Sequence, residues 1–178
     1  AIQAAMEQVF SKAALRPGSF YVTPEFLEVF GRNPAEDSQD SASGELEQQL
    51  FALSDASYAV SNIDGLFENL MVSGGKLYCL DYEWVFDFPV PAGFVRYRNL
   101  VYFYYKYEGL MDYENAADFL KEFGIGEELS GLYAAMEESF QSWVHGDGTQ
   151  GYMGNYKQRL VTLEELKTQE NQLYIHQE

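Results

Sequence analysis

The sequence predicts an α+β chain that is mostly α-helical and carries one short β-hairpin. Three observations predict it. Apolar residues recur at helical spacing in several segments. The pair Gly74-Gly75 stands between two short apolar runs, as a two-residue hairpin turn does. No other region alternates strongly enough for strands. With 178 residues, 47% of them hydrophobic and 16% aromatic, the chain has the material for one domain with a sizeable core, spanning residues 1–178.

The elements follow in order. Ile2, Met6, Val9 and Ala13, flanked by Ala5 and Phe10, mark a first helix that Pro17-Gly18 stops. Thr23-Pro24-Glu25 offers a capping hydroxyl and a proline suited to a first turn, so a short helix carries Phe26, Leu27 and Phe30 and ends at Gly31. Residues 32–44 are nearly devoid of apolar side chains and predict a mobile acidic loop. Ser43 caps a third helix with Leu46, Leu50 and Leu53 on one face, running toward Tyr58. Residues 70–73 and 76–80 form the hairpin, and Phe88-Pro89-Val90-Pro91 then breaks regular structure, since each proline biases its predecessor away from helix. A buried helix rich in Tyr and Phe covers residues 94–107. Asp112 caps a helix with Ala116, Phe119, Leu120 and Phe123, closed by Gly124. Leu129, Leu132, Met136, Phe140 and Trp143 line a longer amphipathic helix, and a terminal helix begins near Thr162.

Charge and composition exclude several functions. A net charge of −17 opposes a nucleic-acid partner, which needs clustered Lys and Arg against the phosphates. The most apolar stretch, residues 94–107, is interrupted by Arg96, Arg98 and Lys106 and is too short to span a bilayer, so no membrane insertion is expected. Cys79 is the sole cysteine; on an apolar strand it reads as an inert packed thiol, and a reducing, cytoplasmic compartment fits. His145 and His176 have no nearby Cys or regularly spaced carboxylates and make no zinc site. His145-Gly146-Asp147 lacks an Asn five positions after the Asp and any following hairpin, so it carries no chemistry. Glu127-Glu128 and Glu164-Glu165 begin helices, where they complement the dipole.

The chemistry concentrates in Asn62-Ile63-Asp64-Gly65-Leu66-Phe67-Glu68-Asn69, followed by the hairpin and then by Leu80-Asp81-Tyr82-Glu83. Phosphoryl transfer needs an Asp to take the proton of the attacking hydroxyl, an Asn on the same loop to help hold magnesium, and a second Asp to grip the metal. The bland reading is that Asp64 and Asn69 make a turn, which both residue types do by bonding nearby backbone.

This order of loop, strand, Gly-Gly turn, strand and Asp resembles the C-terminal lobe of aminoglycoside-phosphotransferase-like kinases. Their loop reads approximately His-Gly-Asp-Leu-His-Pro-Gly-Asn before a hairpin ending Ile-Asp-Phe-Glu. The resemblance covers roughly the central quarter of the chain. It implies a kinase-like C-terminal lobe, with Asp64 as catalytic base, Asn69 and Asp81 as magnesium ligands, and Glu83 supporting the metal site. ATP and magnesium are the implied cofactors and a sugar-type hydroxyl the implied acceptor. The family's His is Asn62 here, which bonds through an amide instead of an imidazole. Ahead of the loop there is no Gly-rich strand-turn-strand and no strand-borne lysine, Lys12 lying on an amphipathic helix. The expectation is therefore an excised piece without its nucleotide-binding lobe, inactive alone, whose partners are other domains of the same polypeptide.

A second run, Asp81-Tyr82-Glu83-Trp84 with Phe88-Pro89-Val90-Pro91 and Phe94-Val95-Arg96-Tyr97-Arg98, is similar to kinase-like segments of large bacterial proteins. Those proteins also carry glycosyltransferase or methyltransferase domains for surface-polysaccharide assembly. In such a protein the lobe is either a catalytic phosphotransferase or a non-catalytic scaffold. The plain reading is that Trp84, Phe86 and Phe88 pack a core against the tyrosine-rich helix. Arg96 and Arg98, unusual in so acidic a chain, form a salt bridge or pair with a carboxylate of the metal site or a phosphate.

Overall fold

The computed structural model describes residues 18–31, 43–58 and 60–145. The first helix over residues 2–13, the acidic loop over 32–42, the terminal helix from Thr162 and His176 lie outside the described residues. The chain divides into two compact units, Ala1–Phe140 and Gln141–Glu178; of the second, the described residues 141–145 are helical.

Helix α1 (Pro24–Phe30) forms as its caps dictate. The Thr23 hydroxyl accepts the Phe26 N–H at 3.2 Å, Pro24 occupies the first turn, and the Gly31 N–H closes the last turn on the Leu27 carbonyl at 2.9 Å. Its apolar face, Phe26, Val29 and Phe30, is buried. Helix α2 (Ser43–Ala52) buries Leu46 and Leu50 but stops well short of Tyr58. The cause is Asp55, whose Oδ1 accepts the Ala56 N–H at 2.7 Å, a local bond that competes with helix and releases the chain as strand β2 (Ala56–Tyr58).

Strand content departs from the expectation of a lone hairpin. β1 (Gly18–Ser19), β2 and β7 (Val90–Pro91) make a three-stranded antiparallel sheet, and β3 (Ser61–Asn62) pairs with β6 (Val85–Phe86). Each is two or three residues long, too short for a period of two to register in a sequence. Phe88-Pro89-Val90-Pro91 therefore leads into a strand instead of only breaking structure, and Pro91 is tolerated because β7 is an edge. The expected hairpin is present: β4 (Leu70–Ser73) and β5 (Lys76–Cys79) pair Leu70 with Cys79 through Ser73 with Lys76. Gly74 and Gly75 have φ of 57° and 74°, the paired left-handed conformations that a two-residue turn matched to strand twist requires.

Helix α3 (Ala92–Tyr107) runs through the centre of the first unit, burying Phe94, Val95, Tyr97 to Val101 and Tyr104 and exposing its last turn. Its N-terminus is capped from a distance, because the Gly93 N–H donates to Asp55 Oδ2 at 2.8 Å and the Tyr133 hydroxyl donates to the same oxygen at 3.2 Å. A Cβ at Gly93 would collide with that hydroxyl and carboxylate. Helix α4 (Ala116–Glu122) is capped by Asn115, whose Oδ1 accepts the Asp118 N–H at 3.0 Å, and not by Asp112. Gly124, at φ 79°, ends it as the sequence predicts. Helix α5 (Glu127–His145) buries Leu132, Tyr133, Met136, Ser139 and Phe140, while Leu129 is exposed.

Phe30 is the hub of the core. Its ring lies 5.3 Å from Phe94, 5.5 Å from Phe86 and 5.9 Å from Phe140. Trp84 packs on Phe140 at 5.6 Å, Phe86 on Phe30 at 5.5 Å and Phe88 on Phe26 at 6.4 Å, so the ring contacts of this aromatic run are with α1 and α5. Among the described residues, no helix is long and apolar enough to cross a membrane.

Candidate functional site

The β3–β6 pair brings both ends of the motif together. Ser61 faces Phe86, Asn62 faces Val85, and the Ile63 N–H donates to the Trp84 carbonyl at 3.1 Å. Everything between, the loop, a 3₁₀ turn over Phe67–Asn69 and the hairpin, projects from this closed neck. The Leu80 N–H adds a further bond to the Asn69 carbonyl at 2.7 Å, so the hairpin returns the chain to the loop it left.

Asp64 sits at the neck. Its Oδ2 accepts the Trp84 N–H at 2.7 Å, its own N–H donates to Asn62 Oδ1 at 2.9 Å, and its carbonyl accepts Asn69 Nδ2 at 2.8 Å and the Leu66 N–H at 2.6 Å. Asn62, in the place of the family's His, bonds the loop through its amide. The same amide nitrogen lies 3.3 Å from Cys79 Sγ and 3.4 Å from the Asp81 carbonyl, joining loop and hairpin exit. Cys79 is exposed and its thiol donates to the Asp81 carbonyl at 2.7 Å, which corrects the reading of an inert packed thiol. The reason is that the hairpin lies on the surface: from Met71 to Cys79 its described side chains are exposed.

Asp64 is only 9% exposed, and this burial pushes its carboxyl above the ordinary range. The Trp84 N–H and the Arg98 guanidinium oppose that shift, while the negative charges of Asp81 and Glu83 add to it. Asp64, Asp81 and Glu83 therefore share one electrostatic neighbourhood, with Asp81 and Glu83 at the surface and Asn69 half-buried beside the Asp64 carbonyl. Among the described residues, no three His, Cys, Asp or Glu side chains gather into a group able to hold a metal ion.

Arg98 holds the loop from below. Only 3% exposed, it donates from Nη1 to the Ile63 carbonyl at 2.9 Å and places Nε 2.8 Å from Glu137 Oε2. Its guanidinium carbon lies 5.0 Å from the Phe140 ring centre and 5.5 Å from that of Tyr102. Burial opposes its charge, yet Glu137 and Asp64 keep the group protonated above its ordinary range. The salt bridge is thus the one with Glu137, a partner on α5 that sequence order alone does not indicate.

Beside this neck the hairpin exposes Met71, Val72 and Tyr78, followed by Leu80 and Tyr82. A two-stranded hairpin with apolar residues in water is marginal by itself. Compared with protein-family models, curated proteins and solved structures, the chain matches none of them.

Proposed function

We propose that this chain is the C-terminal lobe of a kinase-like small-molecule phosphotransferase that uses ATP and magnesium to phosphorylate a sugar-type hydroxyl. The observation that carries the reading is the setting of Asp64. Its carboxylate is desolvated, fixed by the Trp84 N–H at 2.7 Å, and flanked by the acidic hairpin exit. A raised proton affinity suits a base that must take a hydroxyl proton near neutral pH. Asp64 would accept that proton as the hydroxyl oxygen bonds to the γ-phosphorus of ATP and the bond from that phosphorus to the β–γ bridging oxygen breaks, releasing ADP, while Arg98 and Asn62 hold the loop's backbone in register.

Asn69, Asp81 and Glu83 supply oxygen donors, the chemistry magnesium prefers, and a site of this kind is completed by phosphate oxygens and water. When bound, magnesium would neutralise charge developing on the transferred phosphoryl group. The exposed apolar side of the hairpin fits cover by another lobe or domain of the same polypeptide, in a bacterial polysaccharide-assembly protein in a cytoplasmic setting.

The test uses the full-length protein with ATP, magnesium and a panel of sugars. Asp64→Asn should lower turnover by roughly 10²–10⁴ with nucleotide affinity kept, and Asp81→Ala should abolish the gain in ATP affinity that magnesium gives. No phosphoryl transfer, together with ATP affinity indifferent to magnesium, would favour the second reading. That reading is a non-catalytic kinase-like scaffold in a multidomain glycosyltransferase or methyltransferase. The specific observation in its favour is the exposed apolar side of the hairpin, Met71, Val72 and Tyr78, which suits docking to a neighbouring domain whether or not the loop is catalytic.

A further inference from the structure

On the side of the loop turned toward α3, a cleft of about 220 Å³ opens between the 3₁₀ turn and the last turns of that helix. Its walls are aromatic: Phe67 meets Phe103 edge-on at 5.8 Å, and Phe103 meets Tyr107 at 4.9 Å. Asn99 lines it too, although only 1% exposed. Its Nδ2 donates to the Val95 carbonyl one turn back at 3.1 Å, which fixes the amide's orientation. Its Oδ1 is buried and, among the described residues, accepts no hydrogen bond. A buried acceptor without a donor in a native structure calls for an explanation such as a bound group.

We infer that this cleft binds a small, planar, uncharged molecule that presents one hydrogen-bond donor to Asn99 Oδ1. Size, polarity and charge each restrict the occupant. An apolar cavity of about 150 Å³ accepts benzene, so the cleft takes one ring with a substituent or two. Aromatic walls favour ring faces and edges, and the buried unpaired polar atom of the lining is an acceptor, so the guest brings N–H or O–H. At the rim Lys106 Nζ lies 2.6 Å from Glu68 Oε2, so these two charges neutralise each other and offer no net attraction to an ion. The surrounding chain carries −17 and repels anions generally. Phe67 belongs to the turn that ends on Asn69, so the occupant touches the segment that carries the motif without depending on what that motif does.

The probe pair is phenol and anisole, the same ring with and without the donor, titrated into the chain and followed by NMR. Phenol should saturate with shifts confined to the Phe67, Phe103 and Tyr107 rings and the Asn99 side-chain amide. Anisole should bind at least about tenfold more weakly, because it leaves the buried acceptor unpaired. Tyr107→Ala removes an exposed wall and should weaken both probes, and a folded Asn99→Leu should erase the preference for phenol. Equal affinities, shifts scattered over the surface, no saturation at millimolar phenol, or indifference to Tyr107→Ala would each overturn the assignment. Should Asn99→Leu fail to fold, the two probes on the unaltered chain and on Tyr107→Ala decide the matter.

Discussion

Replacing Arg98 with Met keeps the unbranched aliphatic stem and removes the guanidinium with its charge and donors. Two groups then lose their partner. The Glu137 carboxylate, whose side chain is 17% exposed, loses the guanidinium and retains the Tyr102 hydroxyl at 3.0 Å, and the carbonyl of Ile63, a fully buried residue, loses the guanidinium at 2.9 Å. Breaking a buried ion pair by removing one member costs about 3–5 kcal/mol, and a stranded buried acceptor about 1–3. The two overlap, because the same guanidinium serves both, so Arg98→Met should cost about 4 kcal/mol. In a chain of this size about 2–4 °C of melting temperature goes with each kcal/mol, which makes the expected fall about 8–16 °C. Urea unfolding is the assay, with an unchanged slope showing that the transition stays two-state. Adding Glu137→Gln should restore about 1–2 kcal/mol, since it removes a largely buried charge that has lost the Arg98 cation while retaining an acceptor for Tyr102. The reasoning fails if Arg98→Met costs under about 1 kcal/mol, or if the double variant is no more stable than Arg98→Met alone. Amide exchange should rise first at residues 63–69, because Arg98 ties the backbone of that loop to α3.

Other outcomes follow from single contacts. Gly93→Ala drives a methyl into Asp55 and Tyr133 at the start of α3 and should destabilise by about 1–3 kcal/mol, read by thermal unfolding. Asp55→Ala frees the Gly93 and Ala56 N–H groups and the Tyr133 hydroxyl, and should cost about 1–2 kcal/mol in urea, a loss that Asp55→Asn partly prevents. Gly124→Ala forces a side chain into a left-handed conformation at φ 79° and should cost about 1–2 kcal/mol with no change in the loop's chemistry. Asp64→Asn should raise the melting temperature at neutral pH. A carboxyl whose folded pKa is raised stabilises the fold below its unfolded pKa and loses that contribution as pH climbs through the folded value. The gap between the variant and the unaltered chain should therefore narrow on acidification below the ordinary carboxylate range, and a gap that widens there would reverse the assigned cause.

What the sequence made legible was local. The Thr23 cap, the Gly74-Gly75 turn and the Gly124 stop each act through bonds within a few residues, and each appears where the pattern put it. Short strands were illegible for the converse reason. Ser61-Asn62 and Val85-Phe86 are strands only because they meet across an intervening hairpin, and nothing in either dipeptide announces its partner. Asp112 lost to Asn115 as cap because the two stand three residues apart and either satisfies the pattern; only Asn115 reaches the Asp118 N–H. Cys79 looked buried because its neighbours in sequence are apolar, whereas burial needs a second layer, and among the described residues Met71, Val72, Tyr78 and Cys79 are exposed.

The candidate site divides along the same line. Asp64, Asn69 and Asp81 were picked out by spacing, and the bonds that tie Asn69 to the Asp64 carbonyl and Asn62 to the Asp81 carbonyl do link loop and hairpin exit. The groups that set the character of Asp64 come from elsewhere. A backbone N–H at Trp84 carries no sequence signal at all, since every residue but proline has one. Arg98 did leave a trace, as a cation in an acidic chain, but its target is the main chain of Ile63, thirty-five positions away, which no side-chain pattern encodes. The loop's geometry is thus fixed largely by contacts to its backbone, from Arg98 to Ile63 and from Asn62 to Asp64. Substitutions at Asn62 or Arg98 should act on where Asp64 stands, and substitutions at Asp64 on what it does. On the proposed phosphotransferase reading, pH profiles of turnover tell these apart, because a displaced base lowers the rate and still titrates, whereas Asp64→Asn removes the ionisation that the profile reports.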